Sequence, residues 1–249
     1  MKQWILGVFM VALGLNSSNL RAESVFVAVA SNFLLPMEQL AQQFQQETGH
    51  KVKLSFGSSG KLFAQIYNGA PFHVFFSADQ AKPIALEKKG LVVDGSRFTY
   101  ALGGLALWSN KVDYVDSEGK VLAQGNFKKL ALANPKLAPY GVASMEVLQN
   151  LGLTAATRSK LVKGENISQT YQFIASGNAD LGFVALSQID PKASKGSVWV
   201  VPHELFNPIR QDAVLLTKGQ NNVAATAFMA FMKGPQAKAI IETGGYQVP

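Results

Sequence analysis

Two spacings of apolar residues alternate along the first third of the chain. Residues 25–30 form a short, continuously apolar run, which predicts a buried strand. Residues 36–47 follow with Met37, Leu40, Ala41 and Phe44 at helical spacing. The alternation repeats as a strand over 51–56 and a helix over 61–68, then a strand over 73–77 and a helix over 80–89. A βαβαβ start of this kind predicts a parallel sheet covered by helices.

Residues 100–108 are rich in Gly, Ala and Leu and read as one strand leaving this unit. A second unit follows, with a strand at 130–133 and helices at 141–150, 155–160 and 169–176. Strands are predicted at 181–184 and 198–201, and an extended return at 213–217. Helices at 223–232 and 235–242 close the chain, the second with Pro235 in its first turn, where a missing N–H costs little. The pattern predicts two α/β lobes, each a mostly parallel sheet flanked by helices, joined by extended crossings near 100–107 and 209–217. The expected division is 23–102 for the first part of lobe 1, 103–208 for lobe 2, and 209–249 for the hinge return and the rest of lobe 1.

Residues 1–22 stand outside this pattern. Lys2 precedes an apolar run from Trp4 to Leu15, and Leu20-Arg21-Ala22 ends in a small residue. The run is short for a membrane span and suits an export signal cut after Ala22. The formal charge of +7 comes from 23 basic and 16 acidic residues. Loss of Lys2 and Arg21 would leave 21 against 16, or +5. The remaining basic residues are scattered, with Lys88-Lys89 and Lys128-Lys129 the densest pairs and no aromatic–basic motif beside them, so no nucleic-acid partner is expected. There is no cysteine, which excludes disulfides, thiolate nucleophiles and cysteine metal sites.

The chemistry lies at four strand-to-helix turns: Ala30-Ser31-Asn32, Gly57-Ser58-Ser59-Gly60, Ala138-Pro139-Tyr140-Gly141 and Glu165-Asn166-Ile167-Ser168. A helix start leaves backbone N–H groups unpaired and carries positive partial charge. Several such starts facing one cleft form an anion site without Lys or Arg. Plain capping by Ser or Asn is the better account of any single turn; two turns per lobe raise the ligand reading to equal standing with capping.

These residues also carry a resemblance. Ala28-Val29-Ala30-Ser31-Asn32-Phe33, Ser55-Phe56-Gly57-Ser58-Ser59-Gly60-Lys61-Leu62, Gly69-Ala70-Pro71 with Val74-Phe75-Phe76-Ser77-Ala78-Asp79, Ala133-Asn134-Pro135, and Lys233-Gly234-Pro235-Gln236-Ala237 resemble motifs of the periplasmic molybdate-binding proteins of ABC importers. The resemblance implies a type II periplasmic-binding-protein fold and a molybdate or tungstate ligand, with no cofactor and no protein-bound metal cation. It implies a monomer in the periplasm that delivers its anion to an ABC permease in the inner membrane. Carried over by motif, the ligand-binding residues are Ser31 and Ser59, through hydroxyl and backbone, and Tyr140 and Ile167, through backbone N–H. Asn32 and Ser58 are secondary candidates, since either could cap its helix instead. The chain departs from the family at Ala185, where many relatives place a Tyr whose hydroxyl reaches the anion, and Tyr140 is a candidate to compensate. It also departs at His73, where Asp is usual.

Sulfate or another small anion would suit the same lobes. A serine hydrolase is a more distant alternative: no G-x-S-x-G occurs, and His50, His73 and His203 read as lone surface residues. Gly57–Lys61 lacks the spacer and the Ser or Thr of a phosphate loop.

Overall fold

The structure is a computed structural model that describes residues 22–189 and 195–249. The export signal expected over 1–22 lies outside the described residues, apart from Ala22. No helix among the described residues is long and apolar enough to cross a membrane.

The first unit runs β1 (Ser24–Ala30), α1 (Leu34–Thr48), β2 (Lys51–Gly57), α2 (Ser59–Tyr67), β3 (Val74–Phe76), α3 (Ala81–Glu87) and β4 (Phe98–Gly103). The second runs β5 (Leu105–Ser109), α4 (Val121–Gln124), β6 (Leu130–Ala133), α5 (Pro139–Asn150), α6 (Thr154–Thr157), β7 (Leu161–Gly164), α7 (Ile167–Ala175), β8 (Leu181–Ala185) and β9 (Ser197–Val200). The chain returns through β10 (Ile209–Leu215) and ends with α8 (Val223–Phe231) and α9 (Pro235–Thr243).

Two five-stranded sheets result. One has the order β2-β1-β3-β10-β4 and the other β7-β6-β8-β5-β9. Each is mixed: β1 lies parallel to β2 and β3, and β6 parallel to β7 and β8, whereas β10 and β5 run antiparallel to both their neighbours. The strand that enters each sheet from the other lobe supplies its antiparallel half.

Three expectations change. The single strand over 100–108 is two strands in different sheets, divided at Gly104, so the crossing there is one residue long. The run at 209–217 is mostly β10, an interior strand with ladders on both sides; the second passage is 201–208. β7 follows the short helix at 154–157 and was not predicted, because four residues containing Lys163 carry too little apolar signal.

Each sheet is covered by apolar helix faces. On β1, Val25, Val27 and Val29 pack with Met37, Leu40 and Phe44 of α1 and with Phe76, Tyr100 and Phe228. α1 ends at Gly49, whose φ of 73° permits the left-handed turn that lets its N–H reach the Gln45 carbonyl. Leu105, Leu107, Leu130, Leu132, Phe183 and Val147 form the corresponding core of the second sheet. The parallel strands β1, β2, β6 and β7 all end at the cleft between the sheets, where α/β folds place their ligands.

The histidines are not all on the surface. His50 is buried, and its Nδ1 accepts the Glu23 N–H at 3.2 Å. His73 is half-buried with Nδ1 accepting the Phe26 N–H at 3.3 Å; burial lowers its pKa, against the opposing pull of Glu23.

Candidate anion site

β1 runs directly into a short 3-10 turn, Ser31–Phe33, so Ser31 sits at a helix-like start with no residue between it and the strand. After β2, Ser58 adopts an extended conformation and caps α2, its hydroxyl accepting the Lys61 N–H at 3.4 Å. Ser59 is the first residue of α2 and 1% exposed. Its oxygen accepts the Ala78 N–H at 2.9 Å. That bond occupies an acceptor lone pair and leaves the hydroxyl hydrogen to be donated elsewhere.

In the second lobe, Ala138 is extended and Pro139 opens α5, which places the Tyr140 N–H in the first turn. Asn166 caps α7 by accepting the Gln169 N–H at 2.9 Å, which places Ile167 at the helix start. Ser31, Asn32, Ser58, Ser59, Tyr140 and Ile167 thus line one cavity with about 180 Å³ of empty volume. All six are buried. No Lys, Arg, His, Asp or Glu lines the cavity. Even with the open solvent at its mouth included, the space falls short of the roughly 300–1,000 Å³ of organic-ligand pockets.

A wider crevice of about 590 Å³ shares Ala78 and Pro139 with it, but its walls carry two acids, Asp79 and Glu146, against one base, Arg210, a balance unfavourable to a dianion. The small cavity is therefore the better anion site, although it is the smaller space.

The lobes touch around the cavity. The Gly60 N–H donates to the Leu137 carbonyl at 2.9 Å, and the Ser168 hydroxyl to the Ser31 carbonyl at 3.0 Å. Lys61 and Glu165 pair at 3.3 Å, both half-exposed.

The side chains of the secondary candidates have other partners. The Ser58 hydroxyl serves as a cap. The Asn32 amide donates to Gln211 Oε1 at 2.7 Å and to the Tyr246 hydroxyl at 3.0 Å. The Tyr140 hydroxyl faces Gln211 Nε2, at 3.4 Å, on β10. The hydroxyls of Tyr100, Tyr140 and Tyr246 gather here; burial pushes the first two well above the ordinary phenol range and Tyr246 to about 12. All three stay neutral donors. Gln211, Tyr246 and Ser187 were not anticipated; the only sequence signal for them was the polar stretch Arg210-Gln211-Asp212 ahead of the apolar Ala213-Val214-Leu215 in one strand.

The two lobes, the cleft at the strand ends and the neutral donor-lined cavity define a solute-binding protein. Among the described residues no histidine lines the cavity beside Ser31 or Ser59, so neither serine has the activating base of a hydrolase next to it. Residues 25–247 match the model of the family described as bacterial extracellular solute-binding protein, and the chain belongs to that family. It is 55% identical over 241 residues to the molybdate-binding protein ModA of Azotobacter vinelandii, covering 96% of both chains. It is 48% identical to the ModA of Rhodobacter capsulatus, covering 90% of this chain and 88% of that one. The solved structure of the Azotobacter vinelandii periplasmic molybdate-binding protein superposes with a TM-score of 0.87 at 47% identity, covering 90% of this chain and 99% of the other.

Proposed function

We propose that this protein captures molybdate, and its close analogue tungstate, outside the cytoplasm and delivers it to an ABC permease in the inner membrane. The observation that carries this reading is a cavity lined by four strand-to-helix turns and, among the described residues, by no ionised side chain. The donors are the hydroxyl and backbone groups of Ser31 and Ser59 and the backbone N–H groups of Tyr140 and Ile167. The protein acts as a monomer in the periplasm, after cleavage behind Ala22, and has no nucleic-acid partner. Its lobes comprise 23–103 with 209–249, and 105–208, on either side of Gly104.

A tetrahedral dianion offers only acceptors, so withdrawing it from water is costly unless several donors point at it. Hydrogen bonds to a charged group contribute about 1.5–3 kcal/mol each. About six, less the cost of ordering, give roughly −8 to −12 kcal/mol, or micromolar to nanomolar binding. A site without an acceptor for a ligand proton rejects hydrogen phosphate. Sulfate presents the same hydrogen-bonding pattern as molybdate, so its rejection depends on cavity size. Closure about the crossings at Gly104 and 201–208 completes the donor set and presents the closed form to the permease.

Isothermal titration with molybdate, tungstate, sulfate and phosphate tests the reading. Tight binding of molybdate and tungstate, with weak sulfate and no phosphate binding, is the expected result. Tight sulfate binding without molybdate binding would keep the fold and overturn the ligand.

A further inference from the structure

Behind the cavity, one amide joins the turns of the two lobes. Gln211 is fully buried beside an irregularity in the register between β10 and β4, two residues beyond the point where the chain re-enters the first sheet. Its Oε1 accepts from Asn32 Nδ2 at 2.7 Å and from the Tyr100 hydroxyl at 3.0 Å, both in the first lobe. Its Nε2 donates to the Tyr140 hydroxyl in the second lobe, at 3.4 Å. Asn32 and Tyr140 both line the cavity. Gly103, at the other crossing, makes room for this contact: a Cβ there would collide with the Tyr140 hydroxyl and lie 2.7 Å from Gln211 Nε2. Tyr246 and Ser187 brace the same point. The Tyr246 hydroxyl donates to the Asn32 carbonyl at 2.7 Å, and the Ser187 hydroxyl donates to the Tyr246 oxygen at 2.9 Å.

We propose that Gln211 is a positioning residue that sets the spacing of the two lobes across the anion cavity, and through it the discrimination between anions of different size. The inference rests on the oxyanion-binding function proposed above. Molybdate and sulfate have four acceptor oxygens each, so donor type cannot separate them; only the distance between donors on opposite lobes can. That distance is held at the rear by the bond from Gln211 to Tyr140. The contact lies beside both crossings, so it moves little as the lobes close and serves as a pin about which they turn. Neither side chain needs to touch the anion.

Tyr140→Phe is the cleanest test, because it removes one hydroxyl and keeps the ring, the helix start and the backbone N–H. The affinities for molybdate and sulfate are measured by titration calorimetry in the wild type, Tyr140→Phe, Gln211→Met and the double variant, with thermal unfolding of each ligand-free protein as the control. The expected result is a narrowing of the molybdate-over-sulfate ratio by about tenfold in Tyr140→Phe, in a ligand-free protein that still unfolds cooperatively but is less stable, because Gln211 Nε2 loses its buried acceptor. A similar ratio is expected in Gln211→Met, with no further narrowing in the double variant, as for two partners in one contact. Should Gln211→Met fail to fold, Tyr140→Phe alone decides. An unchanged ratio in Tyr140→Phe, or losses that add in the double variant, would overturn the inference. A wild type that binds neither anion would instead overturn the functional reading on which it stands.

Discussion

Replacing Gly60 with Ala should weaken anion binding while leaving the ligand-free protein as stable as before, or more so. Gly60 is the second residue of α2, with helical backbone and no positive φ. Alanine favours a helix over glycine by up to about 1 kcal/mol, so the lobe that contains it gains. The obstacle lies in the other lobe. A Cβ at Gly60 would stand 2.9 Å from the Leu137 carbonyl oxygen and 3.1 Å from its Cα, whereas ordinary contact begins at 3.4 Å. The lobes must therefore stay about 0.5 Å further apart at this point. That stretches the Gly60–Leu137 hydrogen bond and withdraws Ser59, the adjoining residue, from the anion. One hydrogen bond lost, at about 0.5–1.5 kcal/mol, and one donor to a charged ligand weakened, at about 1.5–3 kcal/mol, set the scale. A tenfold loss is 1.4 kcal/mol, so a fall in affinity of roughly ten- to a hundredfold is expected. Calorimetric titration with molybdate and thermal unfolding without it would be run side by side. Unchanged affinity would refute the reasoning, because the Gly60–Leu137 approach would then be no part of the bound state. Equal losses of affinity and ligand-free stability would also refute it, since they would indicate damaged packing rather than blocked closure.

Other outcomes follow from the same contacts. Ser59→Ala removes a buried donor and should lower molybdate affinity by more than about tenfold without unfolding the protein; titration calorimetry and circular dichroism check both parts. Glu165→Gln breaks an exposed pair with Lys61, each partner about half accessible, so affinity should change by less than about threefold. Asp180 is held at about 2: burial pushes it upward, but Lys111 and the N–H groups of Lys129 and Lys128 outweigh that effect. A lowered carboxyl pKa stabilises the fold above its unfolded value near 4 and loses that contribution as pH falls toward 2. Asp180→Asn should therefore cost on the order of 1 kcal/mol near neutral pH, since its partner Lys111 is half-exposed and screened by solvent, and flatten the acid limb of stability, as read by denaturant unfolding between pH 6 and 2.

The first unit was legible because its strands and helices are separated by small-residue turns and carry clean apolar spacings; β1 to α3 lie within a few residues of their predicted places. The crossing at Gly104 was not legible. Gly103-Gly104 breaks the apolar run between Leu102 and Leu105 and is a turn signal, but with apolar residues on both sides it does not say that the chain changes sheet there. All six candidate residues share one cavity, since strand ends and helix starts are local features that the fold carries to the same cleft. The duties of individual side chains were less accessible. Asn32 could cap, bind or brace, and its partners Gln211 and Tyr246 lie 179 and 214 residues away. Tyr140 offered a hydroxyl as a candidate anion donor, yet that hydroxyl turns to Gln211. Such choices are made by tertiary partners and leave no periodic trace.

The central claim is that a tetrahedral dianion is held between the lobes by neutral donors alone. A crystal structure of the protein with molybdate, located by the anomalous scattering of molybdenum, tests it most directly. One metal peak in the cavity is expected, with the anion's oxygens within hydrogen-bond distance of the Ser31 and Ser59 hydroxyls and of the Tyr140 and Ile167 backbone nitrogens. A peak elsewhere, or an anion held by a Lys or Arg side chain, would contradict it.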